Sequence, residues 1–119
     1  MSSRVILGLA QWISFVSEEG KKVEVFGRVD TGATCSSIDI TLACKLKRTL
    51  LERRKKIKSA SGTSMREAVR LEVEIGGKLV EGNFTLADRS HMTYPVLIGQ
   101  NILRKGNFLI DPLLKEVKP

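Results

Sequence analysis

Between Val69 and Leu86 the chain alternates apolar and polar residues with a period of two, broken only by a pair of glycines. Val69, Leu71, Val73 and Ile75 alternate with Arg70, Glu72 and Glu74. Gly76-Gly77 follows, and Val80, Gly82, Phe84 and Leu86 then take every second position. This period places alternate side chains on opposite faces of a strand, so both runs are predicted as strands with one buried face. Adjacent glycines supply the positive φ angles of a two-residue hairpin turn. A hairpin is marginal alone, so the rest of the chain must close over its apolar face.

The remaining segments supply the partners. Ile6, Trp12, Ile13, Phe15 and Val16 predict short N-terminal strands, and Ser17-Glu18-Glu19-Gly20 a turn. Val23, Val25 and Val29 alternate with Glu24 and Arg28, another strand pattern. Ser36 to Ile40 reads as a short strand, and Thr41 as the cap of a short helix from Leu42 to Leu46. Asp88-Arg89-Ser90 reads as a turn. Pro95 to Gly99 reads as an apolar strand, and Gln100 to Arg104 as a short helix ended by Gly106. Phe108 to Ile110 is a last strand, stopped by Asp111-Pro112. No repeat, linker or low-complexity tract interrupts the 119 residues, of which 42% are hydrophobic. The expectation is one all-β domain over residues 1–119, closed or sandwiched, with one or two short helices.

Charge and composition narrow the chemistry. A formal net charge of +7 favours acidic partners. Lys45, Lys47, Arg48, Arg53, Arg54, Lys55, Lys56 and Lys58 form a dense basic segment. It reads as a solvated strand and connection, or as a surface for nucleic acid. No aromatic residue interleaves it as a stacking platform, which disfavours nucleic acid. The apolar run from Val5 to Ala10 is too short to span a membrane or form a secretory core. Cys35 and Cys44 make no disulfide framework. A cytoplasmic chain with reduced thiols is expected, both cysteines serving as small buried hydrophobes. His91 is the one histidine, and the sequence has no HExxH, CxxC or phosphate-loop pattern. No metal and no cofactor is expected.

Carboxylates remain. Val29-Asp30-Thr31-Gly32-Ala33 ends the strand from Val23 with an acid, a hydroxyl residue and a glycine. Alone it fits an ordinary turn or a working carboxylate held by backbone N–H donors. Aspartic-protease chemistry needs two carboxylates, one protonated and one ionised. This chain has one Asp-Thr-Gly, so such an active site requires a homodimer that pairs two copies of Asp30 across a two-fold axis.

Val29 to Ala33, a glycine-containing tip at Ser59 to Ser64, and Val96-Leu97-Ile98-Gly99-Gln100-Asn101-Ile102-Leu103 together resemble the retropepsin family of aspartic proteases. The resemblance runs from about Val23 to Asp111. It implies a closed acid-protease β-barrel with one lobe per chain, and an endopeptidase acting on peptide or protein. Asp30, Thr31 and Gly32 would form the catalytic loop. Ala33 would contact substrate, with Ser59, Ala60, Ser61, Gly62 and Thr63 as the flap tip. Leu97, Ile98 and Gly99 would support the loop, Gly99 letting the last helix pack close beneath it. Leu86 to Gly99 and Asn107 to Pro112, with Asp88-Arg89-Ser90, are similar to a prokaryotic retropepsin-like group. That group is labelled ATP-dependent zinc proteases and is associated with a RimK-type glutamate ligase. This association and the positive charge suggest an acidic substrate, although the sequence shows no zinc motif or nucleotide loop. Where retroviral enzymes carry an Asp–Arg pair, this chain has neutral Thr34 and Gln100, leaving room for a hydrogen bond instead. Two further readings stand beside the peptidase: a non-catalytic retropepsin-fold module for peptide binding or dimerisation, and the basic nucleic-acid-binding protein.

Overall fold

A computed structural model describes residues 4–53 and 67–115. Six strands close into a barrel: β2 (Ala10–Val16), β3 (Lys22–Val29), β4 (Ser36–Asp39), β5 (Ala68–Ile75), β6 (Lys78–Ala87) and β7 (Val96–Ile98). Their order around it is β2-β3-β7-β4-β6-β5. Outside it, β1 (Ile6–Leu7) pairs in parallel with β8 (Leu109–Ile110). Among the described residues there are three helical segments: α1 (Ile40–Leu46), α2 (48–53) and α3 (Gln100–Lys105). The fold is thus mostly β with a closed barrel, as the strand pattern predicts.

The hairpin forms its long side. Gly76 and Gly77 have φ of 58° and 81°, and β5 pairs antiparallel with β6 from Ile75↔Lys78 to Ala68↔Thr85. Val69, Leu71, Val73 and Ile75 face inward with Val80, Phe84 and Leu86. They meet Ile13, Phe15, Ile38, Val96 and Ile98 from the other strands. The Phe15 and Phe84 rings meet edge to face, 5.8 Å between centroids, a geometry the ring quadrupoles favour. A side chain at position 82 would meet Ile102 Cδ1 at 2.6 Å. Glycine there lets α3 lie directly on β6.

Four details differ from the sequence reading. Asp39, not Thr41, caps α1: its backbone is extended and its carboxylate accepts the Leu42 N–H. The strand runs straight into the helix, so the capping position falls two residues earlier. Where it is described, the basic segment is helical on either side of Lys47, whose backbone is extended. Ala43 and Leu46 are buried on α1 and Leu50 on α2, and the surrounding charge obscures the second helix. Arg54, Lys55, Lys56, Lys58 and the expected flap tip at Ser59 to Thr63 lie outside the described residues. Cys35 is exposed and Cys44 half-buried. The inward position belongs to Ser36, so alternation turns Cys35 outward. Finally, Gly106 ends α3 with an ordinary φ of −81°, and the left-handed residue is Asn107 at 55°. Position 106 needs glycine for space, since a Cβ would collide with the Phe108 ring.

Candidate active site

β3 and β7 lie side by side in parallel, with Val29 opposite Ile98. Val29 is buried, and its N–H donates to the Leu9 carbonyl at 2.9 Å. Asp30 emerges at the ends of these two strands, and its N–H donates to the Ile98 carbonyl at 2.9 Å. The backbone then turns. Gly32 N–H donates to Asp30 Oδ1 at 2.9 Å, and Ala33 N–H to the Asp30 carbonyl at 3.3 Å. Asp30 and Ala33 are half-buried, while Thr31 and Gly32 are exposed. The arrangement gives a carboxylate one fixed N–H donor and open access on its other side.

The start of α3 holds this loop from below. Gln100 N–H donates to the Ala33 carbonyl at 2.7 Å, and its side-chain Nε2 to the Thr31 carbonyl at 2.8 Å. Asn101 N–H donates to the Thr34 carbonyl at 3.2 Å. Gln100 therefore bonds the loop backbone rather than the Thr34 side chain. Leu97 is half-buried and Ile98 wholly buried, on opposite faces of β7. A Cβ at Gly99 would come within 2.6 Å of the Cys35 carbonyl oxygen and 2.8 Å of that of Ala33.

Sequence reasoning missed two residues here, Ser36 and Asn101. Ser36 is fully buried and both donates to and accepts from groups at the start of α3. The available signal was a hydroxyl at a core position of the strand pattern, two residues before Ile38.

Asp88-Arg89-Ser90 has a structural account. Asp88 Oδ1 accepts from both the N–H and the hydroxyl of Ser90. The hydroxyl bond, then the backbone bond, holds the Asp88 carboxyl below the usual aspartate range. Arg89 N–H donates to the Asp39 carboxylate at 2.9 Å, and its guanidinium to the Tyr94 carbonyl at 3.0 Å. The segment thus ties β6 to α1 and to the start of β7.

Elsewhere, His91 lies exposed in a turn. In the basic segment, Arg48 pairs with Glu19 at 3.1 Å and Lys47 donates to the Arg70 carbonyl. No helix among the described residues is long and apolar enough to cross a membrane. A cavity of about 440 Å³ adjoins the loop, lined in part by Arg4, Thr31, Gln100 and Arg104. Arg4 is held there by the Asn107 and Phe108 carbonyls.

Comparison with known proteins bears on the family and the fold. The profile of a family described as RimB-like, retropepsin-like aspartic endopeptidase RimB, matches residues 43–119. The matched span includes the Leu97-Ile98-Gly99 support and begins after Asp30. No curated protein matches the chain. The structure of the Legionella pneumophila protein Lpg0085, of unknown function, is similar over 95% of this chain and 97% of that one. The TM-score is 0.66 and the identity 16%. The retroviral protease-like domain of Ddi1 from Leishmania major is similar over 81% of this chain and 72% of that one. Its TM-score is 0.51 and its identity also 16%. At these identities the likenesses show the fold: a retroviral protease-like barrel.

The contact at Gly99 yields a test. Because the obstructing atoms are backbone, Gly99→Ala must push the loop away from α3. It is expected to destabilise the protein by about 2 kcal/mol, read by chemical denaturation, and to shift the amide resonances of residues 33–35. Wild-type stability with unmoved resonances would contradict the contact.

Proposed function

The chain belongs to the RimB-like family of retropepsin-like aspartic endopeptidases, and on that premise we propose that it is a peptidase active as a homodimer. The observation that carries the reading is the Asp30 carboxylate. It stands half-buried at the ends of two parallel strands. Among the described residues its one hydrogen bond is from Gly32 N–H. A second Asp30 across a two-fold axis supplies the missing carboxylate.

Two carboxylates in hydrogen-bond reach cannot both ionise readily, so they share one proton. The ionised Asp30 takes a proton from a water molecule, whose oxygen attacks the scissile carbonyl carbon. The protonated Asp30 gives its proton to the carbonyl oxygen, leaving a gem-diol. Collapse of the gem-diol breaks the C–N bond and returns a proton to the departing amine. Thr31 braces the paired loops, and Gly32 N–H holds each carboxylate in place.

The surface supports a dimer at this end. Ile6, Leu9, Leu109, Leu113 and Leu114 are exposed large apolar residues on or beside the β1–β8 pair. The Leu9 carbonyl bonds Val29, next to Asp30, so this face is continuous with the catalytic loop. A second copy seated there covers the apolar surface and brings the loops together.

Three outcomes test the reading. Asp30→Asn is expected to abolish peptide cleavage and leave the dimer intact by analytical ultracentrifugation. Cleavage that survives would end the peptidase reading, and a wild type that dimerises without cleaving would favour the non-catalytic module. Ile6→Asp, at the apolar face, should give a folded monomer without activity; a stable, active dimer would place the interface elsewhere. The net charge of +7 and the Arg4–Arg104 cavity beside Thr31 favour acidic peptides. A cleavage screen should therefore rank acidic sequences above basic ones, most strongly at low salt. The reverse ranking would refute this preference.

A further inference from the structure

We propose that Asn101 is a positioning residue for Asp30, acting through a latch to the buried Ser36; as a role in catalysis, this rests on the peptidase reading. The loop between β3 and β4 needs anchoring at both ends. Its first end is fixed by the sheet, through Asp30 N–H and the Ile98 carbonyl. Its far end is Ser36, a fully buried serine opposite Phe84 on β6. A hydroxyl and an N–H in that setting must find partners, because an unsatisfied buried donor is costly.

Asn101 supplies them. Its Oδ1 accepts from Ser36 N–H at 3.0 Å and from Ser36 Oγ at 2.7 Å. Its Nδ2 donates to the Asn83 carbonyl on β6 at 2.9 Å. Its own N–H donates to the Thr34 carbonyl. Ser36 Oγ in turn accepts from Gly99 N–H at 2.9 Å. One residue thereby joins the Asp30 loop, β4, α3 and β6: its backbone N–H holds the loop at Thr34, and its side chain bridges β4 and β6. Few side chains could replace it. An amide offers an acceptor and a donor on one plane; aspartate lacks the donor, and alanine strands both Ser36 donors. The role of Asn101 is placement. In a homodimer any displacement enters twice, since both carboxylates are held by the same device. A shift of about 1 Å is enough to cost on the order of a hundredfold in rate.

The test is Asn101→Ala in the full-length protein, assayed on a peptide that the wild type cleaves. kcat is expected to fall about tenfold or more with KM changed less than about threefold, the signature of lost transition-state placement. The bell-shaped pH profile should change width, because the coupling of two carboxylates depends on their separation. Leu50→Ala, a buried residue of α2 that faces the core, serves as a control for stability loss alone and should retain kcat and the profile. Adding Ser36→Ala to Asn101→Ala should cost little more, since both break one latch. Wild-type kcat and pH profile in Asn101→Ala would overturn the proposal. Hydrogen exchange separates it from the peptidase reading. If the wild type cleaves nothing, faster exchange at the Gly32 and Ala33 amides in Asn101→Ala still sustains the latch. Unchanged exchange overturns it.

Discussion

The start of α3 lies against the backbone of the Asp30 loop, and a single Cβ at position 99 would forbid it. The contact is close because the loop's carbonyls, those of Thr31, Ala33 and Thr34, take their hydrogen bonds from Gln100 and Asn101. Buried or half-buried backbone carbonyls need such partners. Here the helix start, whose first N–H groups have no partner within the helix, provides them. Loop and helix each supply what the other lacks. Most of the local geometry depends on that exchange: the turn at Gly32, the exposure of Thr31, and the burial of Ser36.

The barrel makes the exchange possible by fixing both partners in space. β3 delivers Asp30 and β7 delivers Gly99 from parallel neighbours, so loop and helix leave the same end of the sheet. Parallel strands require a crossover, and the chain uses β4 through β6 for it. The same crossover carries Asn83 to where Asn101 can reach it. Closure therefore protects strand edges and also aligns the two segments that form the candidate site.

Much of this was legible in the sequence. Period-two alternation and paired glycines marked β5 and β6 because burial of one face and a tight turn leave few other solutions. Asp30 could be noted for its place at a strand end, and Gly99 was singled out through the resemblance to retropepsins. Other features were hidden. The helix that carries Leu50 was obscured by lysines and arginines, whose charges say nothing about which face is buried. Asp39 was hidden as a cap because it also ends a strand. The outward turn of Cys35 depends on which neighbour faces the core, and β4 is too short for its alternation to announce that.

What the sequence alone determined were local properties: strand period, turn sites, and one carboxylate beside a hydroxyl and a glycine. These follow from φ/ψ preferences and from which side chains avoid water, and each acts within a few residues. Tertiary structure alone decided the pairing of Ser36 with Asn101, 65 residues apart, and the use of Gln100 as a brace for the Thr31 carbonyl. Hydrogen bonds of this kind depend on distances set by the whole barrel, and no local pattern encodes them. Asp30 shows the division plainly. Its position at the end of β3 can be read from the residues around it. The loop that follows it is held by a helix that begins 70 residues later.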